Sequence, residues 1–508
     1  MPVGFNSPAR NLFLLGSSGA QVVTNFFKTI DQSGGTDGVY SASEIKYNYV
    51  DQKFVLAGSA RNINTQKQFG WFEKRDDAGT ADFENRIEST QSGVNTNLYA
   101  MELDVNNNLI VGGKTGDVPW IAKYSNGGVI DWQSTTNTGS LEYVGITSDS
   151  NGQYYACGVQ YPGTGAVGFV EKFDANGNPG WGKAAFMLGR EVLLSSIAAN
   201  NRGEVVAVGQ LEDDNSYKGY IVKIDTNTGQ VLWDRTLTKH LSAYSYTYCS
   251  DVYIDSKDQI YVIGNREGGN PYESTEGFII KYSPEGNIIW QRESYTPNGT
   301  LTNYAVKSDG ETEQTIVFGR YYDQVNNDTG GVLSKYSKDG SLVWRRTLYS
   351  SYNNSDVFNG PCLDADPSFY YLMFVDDNFV FGPSGPSTTP ETYTYGKVSS
   401  SGNGLGAFQY TEGTGETIDY EILNVQDKIG RLSDGSVRND TSDLITYPFN
   451  GTKIVFDDLA TQVSNKKRQM DGPDSFEYSG SPAIRPADFS DVMLLLERLQ
   501  FQHRIGRT

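Results

Sequence analysis

One pattern recurs along this chain and limits what it can fold into: a lysine in an apolar strand, a glycine-bearing turn, then a second strand carrying a tryptophan. KIDTNTGQVLWDR, from Lys223 to Arg235, is one copy. Anchored on the lysine, the pattern is read at Lys74, Lys123, Lys172, Lys223, Lys281, Lys335 and Lys397, spaced 49, 49, 51, 58, 54 and 62 residues apart. Self-similarity at such a period means a series of equal supersecondary units that bury their faces on one another. Each turn holds a glycine (Gly79, Gly128, Gly177, Gly229, Gly286, Gly340, Gly402). A tight turn needs a residue at positive φ, which glycine adopts without a Cβ clash. Nine or ten residues past the lysine stand Phe83, Trp132, Trp181, Trp233, Trp290 and Trp344; the last copy has Gly406 there and is degenerate. Trp71, Trp120, Phe169, Tyr220 and Phe278 lie three residues before it, so all 7 tryptophans fall inside these hairpins.

A second hairpin precedes each of these. Its outgoing strand is a short apolar run ending in glycine, as in FVLAG (54–58), LIVGG (109–113), YYACG (154–158), EVVAVG (204–209), IYVIG (260–264) and TIVFG (315–319). Polar turns such as Asn106-Asn107-Asn108 and Ser150-Asn151-Gly152 sit just upstream. Two hairpins make a four-stranded sheet of roughly 45 to 55 residues, and its repetition about an axis makes a β-propeller. The expectation is an all-β fold: a seven-bladed β-propeller over residues 36–410, an N-terminal arm or closing hairpin over 1–35, and a C-terminal docking region over 411–508 ending in one α-helix at 486–505. Eight blades is the alternative. It requires NLFLLGSSGAQVVTNFFKTID, which reads as a lysine-less copy of the hairpin, to share a blade with strands near 418–426 and 452–456.

Composition narrows the chemistry. A formal charge of -20 argues against a phosphate-tracking, nucleic-acid-binding surface, and the run Lys466-Lys467-Arg468 is too short to reverse this. No run of apolar residues is long enough to insert in a membrane, and the first residues lack the pattern of a secretory signal peptide. Cys157, Cys249 and Cys362 lie far apart and read as buried thiols, not a disulfide framework. The 2 histidines, His240 and His503, are too few for a multi-histidine metal site. The pairs Asp213-Asp214, Asp376-Asp377 and Asp457-Asp458 read as solvated turns, because neighbours in a strand face opposite ways. Asp174, Asn176 and Asn178 open like a calcium loop, yet Ala185 stands where a bidentate Glu is needed. No cofactor, metal or catalytic residue is therefore expected. The recurring lysine is expected to be structural, its stem covered by the next blade and its ammonium on a carboxylate or carbonyl.

The final helix carries Pro486 in its first turn, Asp488 and Asp491 near its positive end, and Arg498 and Arg504 near its negative end. Phe489, Val492, Met493, Leu496 and Leu499 share one apolar face, which must be covered by the propeller or by another subunit.

Two resemblances attach to these residues. The lysine–glycine–tryptophan hairpins resemble the tryptophan-docking repeats of quinoprotein dehydrogenase propellers, over residues 40–410. Since that motif is structural in the family, the resemblance implies fold and not quinone chemistry. FNSPARNLFLLGSSGAQVVTNFFKTIDQ and SPAIRPADFSDVMLLLERLQFQHRIGR look like terminal segments of virion structural proteins of tailed phages, particularly those infecting cyanobacteria. This second likeness implies a non-enzymatic virion component of the tail or baseplate, made in the host cytoplasm. Its implied partners are other virion proteins, a second copy of itself, or a host surface receptor. A host-surface glycan-binding or glycan-cleaving propeller is the alternative.

Overall fold

The computed structural model describes most of residues 26–399 and four short strands beyond them; residues 1–25, several inter-strand loops and most of 400–508 fall outside the described part. Among the described residues every regular element is a β-strand. β1 (Phe26–Ile30) comes first. The chain then runs in antiparallel meanders of four strands. The opening one is β2 (Asp37–Asn48), β3 (Lys53–Asn62), β4 (Gln68–Arg75) and β5 (Ala81–Ile87), followed by β6 (Thr96–Leu103), β7 (Leu109–Thr115), β8 (Val118–Tyr124) and β9 (Ile130–Thr135). Next come β10 (Leu141–Ser148), β11 (Tyr154–Gln160), β12 (Val167–Phe173) and β13 (Pro179–Met187), then β14 (Val192–Ala199), β15 (Glu204–Asp213), β16 (Ser216–Asp225) and β17 (Val231–Leu237). β18 (Tyr246–Ile254) to β21 (Ile288–Ser294) run through β19 (Ile260–Glu267) and β20 (Glu276–Tyr282). β22 (Gly299–Ser308) to β25 (Leu342–Ser350) run through β23 (Thr315–Asp323) and β24 (Asp328–Tyr336).

The final meander has only β26 (Val357–Ala365), β27 (Phe369–Asp377) and β28 (Thr392–Ser399). Its fourth strand is β1, paired antiparallel with β28 from Phe26↔Lys397 to Ile30↔Tyr393. The last lysine hairpin is thus degenerate in sequence because its outer strand comes from the other end of the chain.

The first strands of the meanders form a closed ring. β2 packs on β6, β6 on β10, β10 on β14, β14 on β18, β18 on β22, β22 on β26, and β26 back on β2. This is the arrangement of a β-propeller. The core lies between sheets: Tyr155, Cys157 and Val170 pack on Val205, Ala207 and Val222 of the next sheet, and at the closure Phe54, Leu56 and Trp71 pack on Tyr371, Met373 and Tyr395. Covered on both faces, the middle strands need no polar/apolar alternation, and β11 is buried at every residue. Cys157, Cys249 and Cys362 are buried free thiols, whose ionisation burial suppresses.

Beyond the ring, β29 (Phe408–Thr411) pairs with β30 (Thr417–Glu421), which meets β25 at Tyr349 and Ser350. β31 (Ile454–Leu459) extends β13, and β32 (Phe476–Tyr478) lies on β31. The helix expected at 486–505, with Phe489, Val492, Met493, Leu496 and Leu499, lies outside the described residues, as do His240, His503 and the basic run at 466–468.

Candidate functional site

The recurring lysines and tryptophans sit side by side across β-strand pairs, as Lys123↔Trp132, Lys223↔Trp233, Lys281↔Trp290 and Lys335↔Trp344, with a register shift just after each lysine. Most of them grip a turn of the next sheet. Pro284's carbonyl accepts from both Lys223 Nζ (2.8 Å) and Trp233 Nε1 (3.2 Å). Thr226's carbonyl accepts from Lys172 (3.0 Å) and Trp181 (2.8 Å). Trp132 donates to Ala175 O and Trp290 to Lys338 O, while Lys335 reaches Ser400 O and Lys281 the Glu313 carboxylate. Lys74, whose cross-strand neighbour is Phe83, binds Asp51 and the Asn126 side chain, and Lys123 reaches Tyr154 Oη at 2.8 Å. At the closure Lys397 binds Asp77 at 2.7 Å and Tyr395 Oη donates to Asp76 O, both in the turn between β4 and β5. The turn glycine has a second duty here. Gly177 lies at φ 79°, and a Cβ on it would come within 2.4 Å of the Trp132 ring.

These contacts occupy the rim of the sheets and leave the axis. There the inner strands enclose a cavity of about 540 Å³. Each inner strand is bulged at an equivalent place, among them Ala42/Glu44, Leu98/Ala100, Leu194/Ser196, Cys249/Asp251 and Asn303/Ala305. A bulge re-aims the residues that follow it. At three of the bulges a serine ties one strand to the next: Ser43 Oγ donates to Leu98 O (2.7 Å), Ser195 to Cys249 O (2.8 Å) and Ser250 to Asn303 O (2.8 Å).

The residue after the bulge gives one layer of the cavity wall, in which Glu44 and Asp251 are the acids among Ala100, Gly145, Ser196, Ala305 and Cys362. Two residues further on comes a second layer: Lys46, Glu102, Thr147, Ala198, Tyr253, Lys307 and Asp364. From Lys307 through Asp364 and Lys46 to Glu102 its charges alternate in sign around four neighbouring strands; Thr147 and Ala198 leave the other arc uncharged. Most of these groups are engaged. Asp251 accepts from Ser196 Oγ (2.7 Å) and from the Val252 and Val306 N–H groups. Asp364 accepts from the Tyr47 and Ala365 N–H groups. Glu102 accepts from Lys46 (3.1 Å) and from the Leu103 N–H. Burial opposes the charge on Lys46, but the carboxylates of Glu102, Glu44 and Asp364 outweigh it and hold the ammonium above its ordinary range. Glu44 is the reverse case: burial lifts its carboxyl to about 7 against the pull of Lys46, which stands 3.7 Å away.

The other candidates are not brought together. Asp213 ends β15, Asp376 and Asp377 end β27, and Asp457 and Asp458 on β31 pair with Ala184 and Lys183 of β13. Asp174 accepts the Asn176 and Asn178 N–H groups at 2.9 and 2.8 Å, capping its turn. Among the described residues no group of three or more His, Cys, Asp or Glu is placed to hold a metal ion. Sequence reasoning passed over Glu44, Lys46, Asp251, Lys307 and Asp364. Their signal was the apolar/charged alternation of SEIKY (43–47), SDVY (250–253) and YAVK (304–307), which differs from the unbroken apolar runs next door.

No protein-family model and no curated protein matches the chain. Several solved structures are similar to the chain at low identity. Sqt1 from Chaetomium thermophilum is 11% identical with a TM-score of 0.42, covering 78% of this chain and 100% of its own. The phage phi92 endosialidase is 10% identical with a TM-score of 0.40, covering 74% and 69%. Drosophila Plexin A, in complex with Semaphorin 1b, is 7% identical with a TM-score of 0.37, covering 80% and 96%.

Proposed function

We propose that this chain is a non-enzymatic structural component of a tailed-phage particle, in which a seven-bladed propeller closed by β1 serves as a rigid spacer or binding platform in the tail or baseplate region. The segment before β1 and the helix expected at 486–505 dock it to its neighbours. One observation supports the non-enzymatic part: Asp251, Asp364 and Glu102, three of the acids lining the axial cavity, are held by backbone N–H groups and side-chain donors that join one inner strand to another, which leaves Glu44 without a second free carboxylate to work with. Carboxylates engaged in this way hold a ring together and are poorly free to exchange protons with a substrate. The phage assignment is supported by the terminal segments that resemble virion proteins.

Mass spectrometry of density-purified particles tests it. The chain is expected at a fixed ratio to known tail proteins, surviving a high-salt wash. Its presence in the lysate but not in washed particles would overturn the assignment and favour the glycan-binding, glycan-cleaving or quinone-dependent alternatives.

A further inference from the structure

The axial cavity has hydrogen-bonding capacity that the ring does not use. Among the described residues Lys307 forms no ion pair; its ammonium lies 5.3 Å from the centre of the Tyr253 ring. Lys46, at 3.7 Å and beyond hydrogen-bond range, and Lys307 act on Glu44 through their charge alone. Tyr304, on the same strand as Lys307, is 37% exposed. All of these line the same cavity, and Lys307 and Tyr253 are on neighbouring inner strands.

The charge around them decides what can enter. An anion would meet Lys307 but also Glu102, Asp251 and Asp364, whose carboxylates outnumber the lysines of the wall. A cation would be drawn by those carboxylates but would meet the ammonium groups of Lys46 and Lys307 on the same wall. A neutral molecule rich in hydroxyls brings no charge to desolvate, and each hydroxyl both donates and accepts, which suits a wall offering an ammonium, a carboxyl and phenols. The uncharged arc at Gly145, Thr147 and Ala198 leaves room beside the charged one, and about 540 Å³ lies within the usual range for small-molecule sites. Deepening the binding-platform reading on which it rests, we propose that the axial cavity binds a neutral saccharide of one or two rings, held by Lys307, Glu44, Tyr253 and Tyr304. The carboxyl of Glu44, lifted to about 7, supplies a donor as well as an acceptor near neutral pH.

The test is ligand-observed NMR and calorimetric titration of the full chain with galactose, glucose, N-acetylglucosamine, lactose and maltose. N-acetylneuraminic acid and glucosamine serve as charged controls. At least one neutral sugar is expected to give saturable binding that weakens about tenfold or more in Lys307→Met and in Glu44→Gln, the loss expected when a polar partner is removed, while Leu232→Ser on the outer rim leaves it unchanged. No saturable binding of any neutral sugar up to about 10 mM, a millimolar limit that already corresponds to a few kcal/mol, overturns the proposal. So does binding indifferent to both variants, or tighter binding of a charged control. Should both variants unfold, Tyr304→Ala at the exposed tyrosine is judged by the same criterion. Binding is read on the isolated chain, so absence from phage particles would leave this result standing, and a dry cavity would leave particle membership standing.

Discussion

At the scale of single residues, the turn glycines and Glu44 show two ways in which position overrides type. Gly177 and Gly340 are needed both for positive φ and because the preceding sheet's tryptophan lies where a Cβ would be. For Glu44, burial, helped by the neighbouring Asp251 and Glu102 carboxylates, wins over Lys46 and Lys307 and lifts its carboxyl from 4.5 to about 7. The sign follows. Below the unfolded value the acid is protonated in both states and adds no penalty. As pH rises from 4.5 to about 7 the unfolded chain loses the proton more readily, so stability falls, and above 7 the whole penalty applies. Glu44→Gln removes it. Its melting temperature relative to the native chain should rise between pH 4 and pH 8, by an amount equivalent to roughly 1 to 3 kcal/mol; thermal melts of both proteins at pH 4, 6 and 8 check this, and a difference that does not vary with pH would refute it.

At the scale of elements, third and fourth strands were legible because lysine, glycine and tryptophan recur at fixed offsets, and those residues meet the next sheet's turn. First strands were not, because a bulge in each one breaks a simple period and moves Glu44, Asp251 and their counterparts into the axis. The partner of β28 was also hidden. Lys397 has no tryptophan after it, and nothing local tells that β1, more than three hundred residues away, takes that place. Supplying one sheet from two distant segments joins the ends of the ring, and the Phe54–Tyr395 and Tyr47–Tyr371 ring contacts, at 5.0 and 4.0 Å, lie at the same closure. Removing residues 1–30 should expose the edge of β28. Lower melting temperature by several degrees and greater aggregation are expected, with partial recovery on adding a peptide spanning β1; an unchanged melt would mean that β1 contributes nothing to closure.

At the scale of the whole molecule, most interfaces between sheets have their own apolar cluster among the described residues and most have a lysine gripping the neighbouring turn, so cohesion is spread around the ring. A chain with a formal charge of -20 also repels its own copies, which makes specific docking segments more necessary. We propose that the five apolar side chains Phe489, Val492, Met493, Leu496 and Leu499, on the helix expected from the sequence, form such a segment, each contributing roughly 1.5 to 3 kcal/mol if fully buried. The direct measurement is to delete residues 486–508 and follow both folding and incorporation into particles. A folded, soluble β protein with a near-native melt that no longer enters the particle or its own oligomer is the expected result. Normal incorporation of the truncated chain would contradict docking by this helix, and aggregation of the truncated chain would instead assign the helix to the propeller's own core.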